Sequence, residues 1–293
     1  MSTRWEDHSE LKILQEKLSD RFTKPTYLGG GGFGKVFKLT DIRLNRWCAL
    51  KVLDSDMLHQ CALEDRIEIC IRFTKEARAY AICRHPNIVL IYDIDSVGDF
   101  PYILMEFIDG RSLDQYIKKK GHLELKEILR ISRQILPAVG YLHKKRLIHR
   151  SLKPWDIMLE KPGGERIVLI DFGIVKDSLS SKLTDSGIAP GTPYYMAPEQ
   201  WRETQNVTYK ADIYSFGVML YEMATGEVPF EGNRVQIMQA HMKSPVPTLR
   251  EKNPRAAPGI QQILEKAMAK EPEDRYESAG DFLDALNELG AKI

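Results

Sequence analysis

Five glycines occupy six consecutive positions near the amino end of the chain. Residues 29–34 read GGGGFG. Glycine has no Cβ, so a run of glycines lets the backbone pass close to a ligand such as a phosphate. A plain hairpin turn is the alternative, but each glycine costs chain entropy on folding, and five are more than a turn requires. The stretch therefore predicts a loop that covers a phosphate group.

A second stretch, LIHRSLKPWDIML at 147–159, gathers side chains that could do chemistry. It holds a hydroxyl (Ser151), a cation (Lys153) and a carboxylate (Asp156). A carboxylate can take a proton from a reacting hydroxyl, whereas a serine is a poor base and carries no charge. Another carboxylate, Asp171, follows the apolar run RIVLI. These groups can act together only if the fold places them side by side.

The elements around the glycines are predicted to be strands. A hairpin with a glycine-rich turn and a third strand are predicted in YLGGGGFGKVFKLT and RWCALKVL. Two more strands are predicted in NIVLIYDID and PYILMEF. Residues 56–83 are helical in composition, and Pro86 prevents continuation. Residues 5–21 suggest an amphipathic helix with Leu11, Leu14 and Leu18 on one face. That helix is expected to pack on the domain, with a partner-binding helix as the alternative.

The chain becomes helical after residue 108. ELKEILRISRQILPAVGYLHKK has apolar residues at helical spacing, with a bend expected at Pro137. ADIYSFGVMLYEMAT is apolar on nearly all sides and predicts a buried helix, while VQIMQAHM, IQQILEKAMAK and AGDFLDALNEL look like outer helices. We therefore expect an α+β protein with an antiparallel sheet and one main helix, then a larger helical part. Its expected divisions are a helical extension (1–25), a small lobe (26–107) and a large lobe (108–293).

The motifs, taken in order, resemble those of the eukaryotic-type protein kinase family, particularly its bacterial serine/threonine branch. The resemblance runs from about Tyr27 to Leu289 and rests on at least seven motifs. It implies a two-lobed protein-kinase fold, about residues 26–290, that uses ATP and Mg²⁺. The motifs are GGGGFGKV, ALKVL, FTKEARAY, MEFI, HRSLKPWD, DFG, GTPYYMAPE, DIYSFG and PEDRYES.

The resemblance implies roles for residues that bind the nucleotide. Lys51 would hold the α- and β-phosphates and pair with Glu76 on the helix, although their separation is long and predicts an extra turn or loop at 54–66. Met105 would be the gatekeeper of a hinge whose backbone groups bind adenine. The adenine ring would lie between other apolar side chains. The implied nucleotide-binding residues are Leu28, Gly29, Gly31, Phe33, Gly34, Val36, Ala49, Lys51, Met105, Glu106, Ile108 and Met158.

Other matched residues would hold metal or maintain the architecture. Asp171 of the DFG motif would bind Mg²⁺ that bridges the phosphates. Glu199 of the A-P-E motif would pair with Arg275, and Asp212 would hold the backbone of the catalytic loop. Lys153 would contact the γ-phosphate and is typical of serine/threonine kinases.

The catalytic loop departs from the family pattern H-R-D-L-K-P-x-N at two positions. Ser151 stands where the family has the aspartate that accepts the proton of the substrate hydroxyl. Asp156 stands where the family has an asparagine that binds the second metal, and a carboxylate there can also bind Mg²⁺. The resemblance therefore implies a loop like that of a pseudokinase. In the alternative, Asp156 acts as a displaced base.

The expected function is nucleotide-dependent regulation or scaffolding in signalling, with absent or much reduced phosphotransfer. Two alternatives stay open at this point. One is an active serine/threonine kinase with an atypical loop, and the other is an interaction module with an empty pocket. The partner or substrate would be another protein, of unknown identity.

The composition of the chain argues against some partners and some cellular locations. The formal net charge is +1, with 43% apolar and 28% charged residues, so no global field favours nucleic acid as a partner. No apolar stretch approaches the roughly 20 residues that span a bilayer. Four cysteines without metal-ligand spacing predict buried or partly buried thiols in a reducing compartment, so a cytoplasmic protein is expected.

Overall fold

The computed structural model describes most of the chain, which divides into two units. The first unit, the sheet unit, contains the described residues up to Arg84 and those of 89–108. The second, the helical unit, contains 85–88 and the described residues from Asp109 onward. The described residues are 19–31, 34–54, 58–59, 61–97, 100–161, 165–171, 193–202 and 207–292.

The sheet unit contains five antiparallel strands in the order β1-β2-β3-β5-β4. The predicted five strands and one main helix are therefore confirmed for this unit. The glycine-rich stretch turns between β1 and β2, with Gly31 paired to Gly34. The strands are β1 (Thr26–Gly31), β2 (Gly34–Asp41), β3 (Arg46–Leu53), β4 (Ile91–Val97) and β5 (Phe100–Glu106).

Strand register assigns the side chains to two faces of this sheet. Phe37 lies opposite Leu50, and Leu50 lies opposite Leu104, so the three share one face. Because successive side chains point to opposite faces, Lys51 and its cross-strand partner Ile103 lie on the other face. Both faces carry buried apolar residues.

Helix α1 (Leu63–Ala81) packs on strands β4 and β5. Its buried side chains are Ile69, Phe73, Ala77 and Tyr80, which recur at helical spacing. The sequence predicted helical residues from position 56, and the described residues 58–59 form a short helical turn. The main helix starts later, so the long connection before Glu76 ends at Leu63.

The helical unit contains a small antiparallel sheet and eight α-helices among its described residues. The sheet, β6-β7-β8, comprises β6 (Gly110–Ser112), β7 (Ile157–Glu160) and β8 (Ile167–Leu169). Only β8 was predicted. The helices are α2 (Leu113–Lys120), α3 (Leu125–Lys144), α4 (Pro198–Arg202), α5 (Lys210–Thr225), α6 (Arg234–Lys243), α7 (Leu249–Lys252), α8 (Ile260–Ala267) and α9 (Ala279–Ala291). Short 3₁₀ turns lie at Pro154–Asp156, Pro193–Tyr195 and Pro272–Asp274.

Periodicity identified the five helices α3, α5, α6, α8 and α9, whereas the shorter helices α2, α4 and α7 were not predicted. Every residue of α5 is buried, as the all-round apolar sequence predicted. Helix α3 packs against α9 and runs unbroken through Pro137. The predicted bend at that proline stays a prediction.

The predicted amino-terminal helix, residues 5–21, reaches the described residues only at its end and stays a prediction. Residues 19–21 form a turn. The guanidinium of Arg21 pairs there with Asp41 on β2 at 3.2 Å. The rest of the predicted segment, and Phe33 of the glycine loop, lie outside the described residues.

Candidate active site

The carboxylate of Asp212, at the start of α5, holds the loop at 147–156 in place. It accepts hydrogen bonds from the backbone amides of His149 (2.9 Å) and Arg150 (2.8 Å). Its Oδ2 also lies 2.8 Å from Nε2 of His143 on α3. Asp212 is fully buried, where a carboxylate is stable only with such donors. The predicted anchoring role of Asp212 is confirmed.

The anchored backbone is strained at Arg150. Its φ of 65° lies in the left-handed region, which costs a non-glycine residue about 1–3 kcal/mol. Asp212 fixes the amide of this residue, and Nε2 of Gln200 donates to its carbonyl at 2.7 Å. Two side chains from α4 and α5 therefore impose the conformation on the loop.

The same loop lies beside Asp171. The ring Nε2 of His149 donates to the backbone carbonyl of Asp171. The amide of Ile170 donates to the carbonyl of Asp156 at 2.8 Å. The two predicted magnesium ligands, Asp156 and Asp171, therefore belong to adjoining backbone segments of the helical unit.

The donor set of this region fits a magnesium ion that is shared with phosphate. Carboxylate oxygens are the protein ligands that Mg²⁺ prefers, and it usually binds through one or two of them plus phosphate oxygens. Asp156 and Asp171 supply that number. Within the described residues, no group of three or more histidine, cysteine or acidic side chains forms a complete metal cage.

Ser151 and Lys153 define what this loop offers a reacting group. The Ser151 hydroxyl is buried and has no hydrogen-bond partner among the described residues. Nζ of Lys153 lies 3.5 Å from Oδ1 of Asp156, whose side chain is 3% exposed. The only carboxylate of the loop thus lies next to its lysine rather than at position 151.

A buried tyrosine–glutamate pair lies near the loop and was not predicted. The hydroxyl of Tyr195 donates to Oε2 of Glu222 on α5 at 2.5 Å, and its ring meets Trp155 edge to face. Burial raises the pKa of Glu222 to about 7. The hydrogen bond from Tyr195 lowers this pKa, and the nearby charge of Asp114 raises it. No short-range pattern could have revealed a contact across 27 positions.

The predicted nucleotide residues of the sheet unit share one sheet face. Val36 lies opposite Lys51, and Ala49 lies opposite Met105, on alternate positions of β2, β3 and β5. Gly29 lies opposite Val36. Leu28, at an irregularity in β1, is 48% exposed. Register therefore brings most of these residues to the face that carries Lys51.

Two glycines of the loop differ in what they require. A Cβ on Gly34 would lie 2.8 Å from the carbonyl oxygen of Val52, so packing within the sheet excludes a side chain there. No described heavy atom lies within 4 Å of a Cβ built on Gly29. Packing against the described residues therefore does not require a glycine at position 29. Gly31 ends β1.

The remaining predicted residues are placed as follows. The amide of Glu106 donates to the carbonyl of Leu90 at 2.9 Å. Ile108 is buried, and Glu76 lies on α1 in the same unit as Lys51. Met158 lies on β7 in the helical unit. The pairing of Lys51 with Glu76 stays a prediction.

The predicted pair of Arg275 and Glu199 is confirmed. The guanidinium donates two hydrogen bonds to the carboxylate, at 2.7 and 2.8 Å. It also donates to the carbonyl oxygens of Ala269, Lys210 and Lys270. The side chain of Arg275 is fully buried, and this pair connects α4 to the segment before α9.

Comparison with known proteins agrees with this geometry. Residues 22–285 match the protein kinase domain family. The chain is 35% identical over 271 residues to serine/threonine-protein kinase PrkC of Bacillus subtilis (92% of this chain, 40% of that protein). It is 34% identical over 272 residues to serine/threonine-protein kinase PknB of Mycobacterium leprae (90% and 42%). The chain therefore spans about two fifths of the length of these relatives.

A solved structure supports the fold alone. Rad53 1-466 in complex with AMP-PNP matches with a TM-score of 0.75 and 23% identity, over 93% of this chain and 67% of that one. Both the antiparallel sheet unit and the helical unit belong to the protein kinase fold. No helix among the described residues has the length and apolar character to cross a membrane. From its motifs, its fold and its relatives, the chain belongs to the protein kinase family.

Proposed function

We propose that this chain binds ATP with Mg²⁺ and transfers phosphate slowly or not at all. It then acts as a nucleotide-dependent regulator or scaffold in signalling. One observation carries the proposal: Ser151 occupies the place of the catalytic aspartate, and the nearby carboxylate of Asp156 lies against Lys153. The named kinases among its relatives make an active enzyme the alternative.

The exchange at position 151 removes a base from the reacting hydroxyl. In kinases the aspartate orients that hydroxyl and accepts its proton. A serine hydroxyl can do neither with the same strength. General-base catalysis contributes about 10² to 10⁴ in rate, or roughly 3 to 5 kcal/mol of barrier. We expect turnover to fall by that factor.

The residues that would hold nucleotide are all present. Lys51 and Lys153 supply positive charge for the phosphates, and no described atom would obstruct a ligand that approaches the backbone at Gly29. Asp156 and Asp171 supply carboxylates for the metal, which neutralises charge on the phosphates when bound. This set supports a nucleotide-binding protein over an empty interaction module.

A nucleotide thermal-shift experiment tests binding. ATP with Mg²⁺ should raise the melting temperature of the full chain, because a ligand that binds only the folded state stabilises it. Lys51→Met and Asp171→Ala should each abolish the rise, while Lys24→Met, at an exposed lysine of the same unit as Lys51, should keep it. No shift at millimolar nucleotide would favour the empty module.

A transfer assay tests catalysis. Labelled ATP is incubated with a generic protein substrate at high enzyme concentration, and single-turnover phosphate transfer is followed. We expect a rate at least about 10²-fold below the 1 s⁻¹ typical of slower kinases. Turnover near 1 s⁻¹ in the unmodified chain would contradict the proposal and make Asp156 the leading candidate for the base.

A further inference from the structure

Helix α1 of the sheet unit exposes a row of large apolar side chains away from its buried face. Leu63, Ile67 and Ile71 are 63%, 51% and 60% exposed. With 3.6 residues per turn, the three lie within an arc of about 80° around the helix. Ile82 directly follows the helix in a helical conformation, is 67% exposed and continues the same side. These four residues are called the α1 stripe.

The α1 stripe takes no part in packing the helix onto its own sheet. Helix α1 packs on β4 and β5, and its buried residues are Ile69, Phe73, Ala77 and Tyr80. Single exposed apolar residues are common on protein surfaces, but a row of them bordered by charged side chains marks an interaction surface. The stripe is therefore a candidate surface for docking.

The charged side chains along one flank of the stripe change sign from the start of the helix to its end. Glu64 and Glu68 lie in the first half, and Lys75 and Arg78 lie in the second half. The four project within about 80° of one another. Glu68 also pairs with Arg72 of the same helix, whereas Glu64 and Arg78 are exposed. A second α1 that runs in the opposite direction presents the complementary order of charges.

A two-fold axis at Ile71 brings opposite charges level with each other. Glu64 and Arg78 each lie seven residues from Ile71, which is about 10.5 Å along the helix axis. In an antiparallel pair of helices, Glu64 of one copy is therefore level with Arg78 of the other, and the symmetry makes this contact twice. Glu68 and Lys75 come level to within about 1.5 Å in the same register.

The same register covers the apolar residues of the stripe. The two copies of Ile71 meet at the axis, and Ile67 lies beside Lys75 of the other copy, whose methylene groups can cover apolar surface. Leu63 comes within about 4.5 Å, measured along the helix axis, of Ile82 in the other copy. One antiparallel arrangement therefore matches both the apolar residues and the charges.

We propose that two copies of this chain associate through α1, antiparallel about a two-fold axis at Ile71, with the α1 stripe of each copy buried against the other. The proposal rests on the sheet unit alone and does not depend on nucleotide binding. Two helices of this length form an interface at the low end of specific complexes, so the dimer should be weak and reversible. We expect a dissociation constant of about 10–100 µM.

Sedimentation velocity of the full chain, without nucleotide, tests this association. Over about 1–300 µM, a range that brackets the expected constant, the sedimentation coefficient should rise from that of a monomer to that of a dimer. Ile71→Glu places two carboxylates at the axis and should weaken dimerisation at least about tenfold. Because Ile71 is exposed in one copy, the melting temperature at low concentration should not fall. A monomer over the whole range would overturn the proposal.

Val235→Glu is the matched control. Val235 is 56% exposed on α6 of the helical unit, so the variant makes a similar change at a comparable apolar site away from α1. It should leave the dissociation constant unchanged. Equal weakening by the two variants, or no weakening by Ile71→Glu, would assign the association to another surface or to net charge and would overturn the proposal.

Charge reversal tests the antiparallel register itself. Glu64→Arg and Arg78→Glu should each weaken the dimer about threefold or more, because each variant creates two pairs of like charges across the axis. The double variant restores both pairs with their signs exchanged, so it should recover most of the lost association. Circular dichroism at low concentration checks that each variant is folded. A double variant that associates no better than the single variants would overturn the antiparallel pairing.

Discussion

Two residues of the catalytic loop set its chemistry, and exchanging both should restore it. In Ser151→Asp with Asp156→Asn, a carboxylate returns to the reacting hydroxyl and a neutral oxygen to the metal. We expect a gain in transfer rate of about 10² to 10⁴. The two changes should be non-additive because both act on one phosphoryl group. Single-turnover assays of the two single variants and the double variant measure this.

A third substitution is the control for that gain. Adding Lys153→Met to the double variant should remove most of the gain, since Lys153 would contact the γ-phosphate. A double variant that binds ATP yet stays inert would show that the block lies outside positions 151 and 156.

Glu222 should make stability depend on pH. Burial raises its pKa from 4.5 to about 7, so the folded state binds a proton more tightly than the unfolded state. Its contribution to stability is fully present below pH 4.5 and is lost as the pH rises through about 7. Glu222→Gln has no such titration, so it should gain stability relative to the unmodified chain between pH 5 and 8.

Urea unfolding at several pH values measures that difference, which should amount to a few kcal/mol at most. Glu265→Gln, at an exposed position, is the control and should give a flat difference. A flat difference for Glu222→Gln as well would mean that its carboxyl is not held protonated.

At the scale of elements, two helix ends meet at a pair of glycines. Gly226 follows α5 with φ of 83°, and a Cβ there would lie 1.6 Å from the carbonyl oxygen of Gly121, which follows α2. Gly121 has φ of 82°, but no described atom lies within 4 Å of its Cβ position. Gly121→Ala should therefore cost backbone strain alone, about 1–3 kcal/mol.

Gly226→Ala should cost clearly more than Gly121→Ala, because it adds a clash with the backbone of Gly121 to its own backbone strain. Chemical denaturation of the two variants compares them directly. Equal losses would show that the helix ends separate without cost.

Most elements followed from the sequence, because their apolar periods are long. Helix α5, with 16 buried residues, and the five strands of the sheet unit are of this kind. Strand β6 has only three residues, too few to show a period. The start of α1 was placed too early because Ala62 offers no side-chain cap to signal it.

The site was predictable where motifs carry it and not where contacts are distant in sequence. The anchoring by Asp212 and the pair of Arg275 with Glu199 followed from motif positions. The contact of Lys153 with Asp156 and the bond of Tyr195 to Glu222 did not, since rotamers and tertiary packing decide them.

For the whole molecule, the proposed nucleotide residues come from both units. Lys51 lies in the sheet unit and Asp171 in the helical unit. If ATP with Mg²⁺ binds through both, amide exchange should slow in β3 and also around Asp171. Hydrogen-exchange mass spectrometry with and without nucleotide measures it. Slowing in one unit alone would contradict joint binding, and Asp171→Ala should remove the effect in both.

The buried ion pair of Arg275 and Glu199 also affects where the protein can be shortened. Arg275 follows α8 in the chain, and its guanidinium is fully buried against Glu199 on α4. A chain cut before Arg275 would keep the motifs from the glycine-rich stretch to DIYSFG but would leave the Glu199 carboxylate without this partner. Removing one member of a buried ion pair is strongly destabilising. Poor expression of such a shortened protein would then be a property of its last residue, and no change of buffer would remedy it.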